Sequence, residues 1–119
     1  MIDKMNDLFA SIDKMDAPGF ASHLHPDVEF RFGNGESVHG RDNAGAAVGG
    51  FFSSIKAIKH NMAEVRIADD IILSHGKVTY TRHDDSTLTV PFANVFYMQD
   101  DLIKKYFIFV DTSQLYASA

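Results

Sequence analysis

Five kinds of side chain in this chain could move a proton or steady a charge. In the stretch IILSHGKVTYTRHD (Ile71 to Asp84), Val78, Tyr80, Arg82 and Asp84 alternate on one face of a strand, and Lys77, Thr79, Thr81 and His83 occupy the other. If the first face points into a cavity, Arg82 keeps Asp84 ionised and orients it as a base toward water or a C–H bond. If the second face points inward, Arg82 and Asp84 are ordinary surface charges. His60, in Lys59-His60-Asn61-Met62, offers an imidazole, the side chain best suited to shuttling a proton at neutral pH. A regular strand would turn His60 and Glu64 to the same face, unless a bulge intervenes. Asn94 interrupts the apolar face Val90, Phe92, Asn94, Phe96, where an unpaired buried amide costs about 1–3 kcal/mol, so it marks a ligand contact or a hydrogen-bond network. Tyr80 and Tyr106 are either pocket walls with a hydroxyl to spare or core residues whose hydroxyls bond to backbone.

Composition narrows the setting for this chemistry. At 119 residues, with 45% hydrophobic and 23% charged side chains, residues 1–119 are expected to form one globular domain. No apolar run nears the roughly 18 residues of a membrane helix. The N-terminus, MIDKMNDLFASID, lacks the basic and apolar blocks of a secretory leader, which places the chain in the cytoplasm. A net charge of −5 and scattered basic residues argue against a nucleic-acid partner. The absence of cysteine removes thiolate catalysis and cysteine-based metal sites. The histidines show no ligand spacing, so neither a metal nor another cofactor is expected.

These candidates need a scaffold. Ile2, Met5, Leu8 or Phe9, Ile12 and Met15 recur at helical spacing over residues 2–15. Asp16 can cap a shorter helix running through Leu24, with Pro18 in its first turn and His25-Pro26 as the stop. Val28, Phe30 and Phe32 alternate with Glu29 and Arg31 in a strand that ends at Gly33-Asn34-Gly35. A third helix starts from Asp42 or Asn43 as cap and carries Ala44, Val48, Phe51, Phe52 and Ile55 on its apolar stripe. Its glycines, Gly45, Gly49 and Gly50, suggest close packing on a sheet or, less simply, a backbone approach to a ligand. Strands follow over about 57–68, 71–84, 87–98 and 102–111, and the turns between them are short enough to force antiparallel pairing. Helices first and a meander afterwards is an α+β arrangement.

This order of elements, with the turn His39-Gly40-Arg41-Asp42 and the closing strand Tyr106 to Asp111, resembles the nuclear transport factor 2-like superfamily, in its SnoaL-like and ketosteroid-isomerase-like branches. The resemblance implies a cone, a curved antiparallel sheet wrapped around N-terminal helices in the cystatin-like manner. It also implies a deep apolar pocket and homodimers formed through the sheet's outer face. Residue by residue it is incomplete. The isomerase tyrosine falls near Leu8, its general base at Phe30 or Phe32, and its protonated aspartate near Asn94, so the known isomerase mechanism is not expected. The Arg-x-Asp of limonene-epoxide-hydrolase-like members is similar to Arg82-His83-Asp84 and favours the inward orientation of that face. The remaining polar groups of that hydrolase site fall at Phe30, Phe32 and Ile108. An inward histidine of scytalone-dehydratase-like members is similar to His60.

The expectation is therefore a pocket lined by Phe30, Phe32, Tyr80, Phe92, Tyr106 and Ile108 that takes a small hydrophobic or aromatic molecule. Its chemistry would be cofactor-free isomerisation, dehydration or hydration. Asp84 would act as base, Arg82 as orienting cation and His60 or Tyr80 as acid, with Asn94 steadying charge. The rival expectation is a non-catalytic binding or dimeric interaction module of the same fold.

Overall fold

Met5, Leu8, Phe9 and Ile12 are all buried on one side of helix α1 (Ile2–Asp13), as their spacing requires. The structure, a computed structural model, describes residues 2–116; the side chain of Ile2, expected on the same stripe, lies outside the described part. Asp16 caps α2 (Ala17–Ala21) by accepting a 3.0 Å hydrogen bond from the Gly19 amide. This helix stops three residues short of Leu24. Leu24 instead opens strand β1 (Leu24–Phe32), where it is fully buried, and the neighbouring His23 carbonyl accepts from the Ile103 amide at 2.9 Å. Pro26 falls in the irregular part of the β1 pairing, between Leu24 and Glu29, where a missing N–H is tolerated.

A two-residue strand, β2 (Val38–His39), pairs antiparallel with β1 and was not foreseen. Helix α3 (Arg41–Ser53) is capped by Gly40 at φ +94°, without a side-chain hydrogen bond, and not by Asp42 or Asn43. Asp42 lies in the first turn, where its charge suits the helix dipole. Gly45 and Gly49 face Ala21 and Ala17 of α2, so their small size serves helix-to-helix packing and not, as expected, packing on the sheet.

The remaining strands are β3 (Ala57–Ala68), β4 (Ile71–Thr81), β5 (Thr87–Gln99) and β6 (Leu102–Val110). They form the antiparallel meander, and the full sheet runs β2-β1-β6-β5-β4-β3. The sheet is curved and does not close. One pairing departs from the all-antiparallel expectation: β1 lies parallel to β6, which the long intervening chain permits. The helices pack on the inner face and the core lies between them.

Two local features of the meander position the site. The β3–β4 register shifts between Met62 and Glu64, so a bulge resets the alternation of β3. His60 and Met62 therefore face inward while Glu64 faces outward, where its carboxylate meets His75 Nε2 at 3.1 Å and the Arg66 guanidinium. The bulge presses on Gly76. A Cβ there would be driven into the Asn61 carbonyl and lie 2.9 Å from the Ala63 amide nitrogen, so only glycine fits. The second feature is the early end of β4 at Thr81, which leaves Arg82 to Ser86 in the turn before β5.

Candidate active site

A cavity of about 210 Å³ lies between the inner face of the sheet and helices α1, α2 and α3. Drug-sized sites usually occupy about 300–1,000 Å³, so this one suits a molecule of one or two rings. Phe30 and Phe32 reach it from β1, Tyr80 from β4, Phe92 and Asn94 from β5, and Tyr106 and Ile108 from β6. Each of these follows from the period-two alternation of its strand. His60 borders the cavity from β3. Helix α3 adds Phe51, whose ring lies tilted against Phe32 at 5.0 Å and edge-on to Tyr80 at 5.8 Å. The sequence marked Phe51 only as part of an apolar stripe. Glu36, also bordering the cavity, was not singled out at all.

The polar groups of this mostly apolar space are few. Tyr106 is buried at the centre of an aromatic cluster, with Phe96, Phe30 and Phe20 ring centroids at 4.4, 5.4 and 5.9 Å. Burial, and then repulsion from Tyr80, pushes the Tyr106 hydroxyl well above the ordinary tyrosine range; burial, and then Tyr116, does the same to Tyr80. Both hydroxyls therefore keep their protons and can donate hydrogen bonds, which makes Tyr80 a poor source of a transferred proton.

His60 is held differently. Its Nδ1 lies 2.7 Å from Asp13 Oδ1, and its backbone amide donates to both Asp13 carboxylate oxygens at 3.1 and 3.2 Å. The ring packs between Phe9, at 5.0 Å, and Phe92, edge-on at 5.1 Å. The His60 side chain is 11% exposed and that of Asp13 30%. A carboxylate that engages Nδ1 fixes the ring's orientation and leaves Nε2 as the nitrogen for the cavity. Asp13 was missed in the sequence, although one signal was there. It is the last residue of α1, where a negative charge opposes the helix dipole and calls for a compensating partner.

Arg82 and Asp84 do not border the cavity, contrary to the expectation that they form its polar end. Because β4 stops at Thr81, the alternation that brings Val78 and Tyr80 inward does not extend to them. Arg82 Nε donates to the Leu115 carbonyl at 2.8 Å and Nη2 to the Gln114 carbonyl at 3.0 Å, clamping the C-terminal segment. Nη1 donates to Ser86 Oγ at 3.1 Å. Asp84 is exposed and accepts from the Ser86 hydroxyl and amide at 2.5 and 2.9 Å. Those hydrogen bonds, with a smaller contribution from Arg82, hold its carboxyl below the usual range. The pair shapes a turn. Among the described residues, no three His, Asp or Glu side chains gather as a metal site, and no helix is long and apolar enough to cross a membrane.

A curved open sheet over N-terminal helices, with a small apolar cavity at its inner face, defines a nuclear transport factor 2-like architecture. The SnoaL-like domain model matches residues 5–106, and the chain belongs to that family. No curated protein matches the sequence. Among solved structures, a nuclear transport factor 2-like protein of unknown function from Burkholderia pseudomallei superposes with a TM-score of 0.85 at 18% identity, over 96% of this chain and 92% of that one. TerC, co-crystallised with polyporic acid, superposes with a TM-score of 0.81 at 20% identity, over 96% and 93%. A protein from Jannaschia described as a SnoaL-like polyketide cyclase gives 0.82 at 15% identity, over 96% and 87%. Structures described as an epoxide hydrolase and as ketosteroid-isomerase-like share the architecture as well. At these identities the likeness establishes the fold.

Proposed function

We propose that the cavity binds a small, mainly apolar or aromatic molecule and that His60, oriented by Asp13, moves a proton on it without a cofactor. The observation that carries this is the His60 to Asp13 contact at the cavity wall, with Nδ1 engaged and Nε2 left over. His60 Nε2 takes a proton from an acidic C–H or O–H of the ligand and returns it at another position, which is the elementary step of an isomerisation, a dehydration or a hydration. Asp13 holds the ring and balances the imidazolium while the proton is on it. Phe30, Phe32, Phe92 and Ile108 supply the apolar walls, and the neutral hydroxyls of Tyr80 and Tyr106 donate to ligand oxygen. Arg82 and Asp84 have no part in the step.

A simple probe tests the proposal. 2-Tetralone, a two-ring ketone with exchangeable C–H bonds beside its carbonyl, is incubated with the protein in D2O and deuterium uptake is followed by NMR. The wild-type protein is expected to accelerate exchange, and His60→Gln to lose that acceleration by about a hundredfold or more. Undiminished acceleration in His60→Gln would remove the histidine from the account. The alternative, a non-catalytic binding module, is favoured by the displacement of Arg82 and Asp84 from the cavity. It predicts that 2-tetralone binds but exchanges no faster than in buffer.

The reading includes a homodimer through the outer face of the sheet. Leu73 and Phe109 are 48% and 55% exposed there, on β4 and β6. Exposed apolar groups grouped on one face favour a partner. Sedimentation is expected to give twice the monomer mass for the wild type and the monomer mass for Leu73→Glu/Phe109→Glu; a monomeric wild type would contradict the homodimer.

A further inference from the structure

With His60 neutral, Glu36 is the one charged side chain among the described residues that border the cavity, and no lysine or arginine stands there to balance it. It lies in the turn between β1 and β2, and the backbone is tied down on both sides of it. The Gly35 amide donates to the Phe32 carbonyl at 3.1 Å, the Gly35 carbonyl accepts from Arg31 Nε at 3.1 Å, and Ser37 Oγ donates to Glu29 Oε2 at 2.9 Å. Arg31, the nearest cation along the chain, is thus turned to backbone, and among the described residues Glu36 forms no ion pair. Glu36 is exposed and yet borders the cavity, which puts it at the opening. Aromatic rings stand beside it. Phe32 ends β1 at the same turn, Phe51 lies against Phe32 at 5.0 Å, and Tyr80 is edge-on to Phe51 at 5.8 Å, all three bordering the cavity. Ring faces attract a cation and not an anion, so the aromatic wall and the carboxylate select the same charge.

We propose that Glu36 receives the cationic end of the ligand, a ring compound bearing a protonated amine, with the ring inside the cavity and the ammonium at the opening between the carboxylate and the Phe32 and Phe51 rings. The inference rests on the pocket reading above and names its ligand class. An ammonium at the opening keeps part of its hydration, so the attraction does not have to repay full desolvation. A ring carrying a carboxylate instead meets Glu36 as a like charge with no cation to offset it. Glu36 stands beside β2 at one edge of the sheet and His60 on β3 at the other, so the anchor and the proton-transferring group come from opposite edges. The other carboxylate near the cavity, Asp13, is already engaged by the ring and amide of His60.

Three compounds of one skeleton test the inference: 2-aminoindane, cationic at neutral pH, 2-indanol, which is neutral, and indane-2-carboxylate, which is anionic. In calorimetric titrations of the wild-type protein at low salt, the amine is expected to bind about fivefold more tightly than the alcohol, and the carboxylate more weakly than either. Added salt is expected to shrink the amine's advantage, since the pairing charge is exposed. Glu36→Gln is expected to remove that advantage with 2-indanol affinity and Tm unchanged, and Glu36→Lys to place the carboxylate above the amine. Equal affinity of amine and alcohol for the wild type would overturn the anchor and leave the pocket standing. An advantage that survives in Glu36→Gln and disappears in Asp13→Asn would also overturn it, moving the cation to the His60 end. If 2-tetralone binds and none of the indanes does, the anchor falls alone; if none of the four compounds binds, the anchor and the pocket fall together.

Discussion

His60 with Asp13, and Arg82 with Asp84, each set a nitrogen-bearing side chain beside a carboxylate in the same region, and they do opposite things. His60 and Asp13 come from residues 47 positions apart and meet at the wall of the cavity. Arg82 and Asp84 come from one short stretch and lie in a turn, where both bind Ser86 and Arg82 grips the carbonyls of Gln114 and Leu115. The local pair was conspicuous in the sequence and holds a turn. The distant pair was half visible and borders the space where a ligand fits. Nearness in sequence favours turns, whereas a site inside a cone needs groups delivered from different elements.

The comparison can be broken at the feature that turns His60 inward. Gly76→Ala drives a methyl into the backbone of the β3 bulge, and destabilisation of about 1–3 kcal/mol or more is expected in urea titrations. A variant as stable as the wild type would mean that the bulge does not fix the register of β3. A smaller effect sharpens the other side. Arg82→Ala removes the clamp on the C-terminal segment and is expected to cost about 1–2 kcal/mol of stability while leaving 2-tetralone affinity unchanged. A loss of affinity without a loss of stability would return Arg82 to the site.

The parts of the fold that were legible in the sequence are those governed by local periodicity. The helical stripe of Met5, Leu8, Phe9 and Ile12 and the alternation of Val90, Phe92, Asn94 and Phe96 gave their elements and inward faces directly. Phe30, Phe32, Tyr80, Tyr106 and Ile108 border the cavity because each keeps the phase of a regular strand. Phase fails where the strand does. The expectation for Arg82 and Asp84 extrapolated the alternation of β4 beyond Thr81, and the ambiguity between His60 and Glu64 was the bulge itself. Asp13 was out of reach of periodicity, since its partner is set by how the end of α1 docks on β3. The parallel β1–β6 pairing is likewise a tertiary outcome, which the turn lengths of the meander do not encode.

The central claim is that the carboxylate serving the cavity is Asp13 and not Asp84. Deuterium exchange into 2-tetralone, measured side by side for Asp13→Asn and Asp84→Asn with folding checked by thermal denaturation, tests it most directly. The account predicts that Asp13→Asn loses at least about tenfold of the wild-type acceleration while Asp84→Asn keeps it. Loss of acceleration in Asp84→Asn with Asp13→Asn unaffected would contradict it.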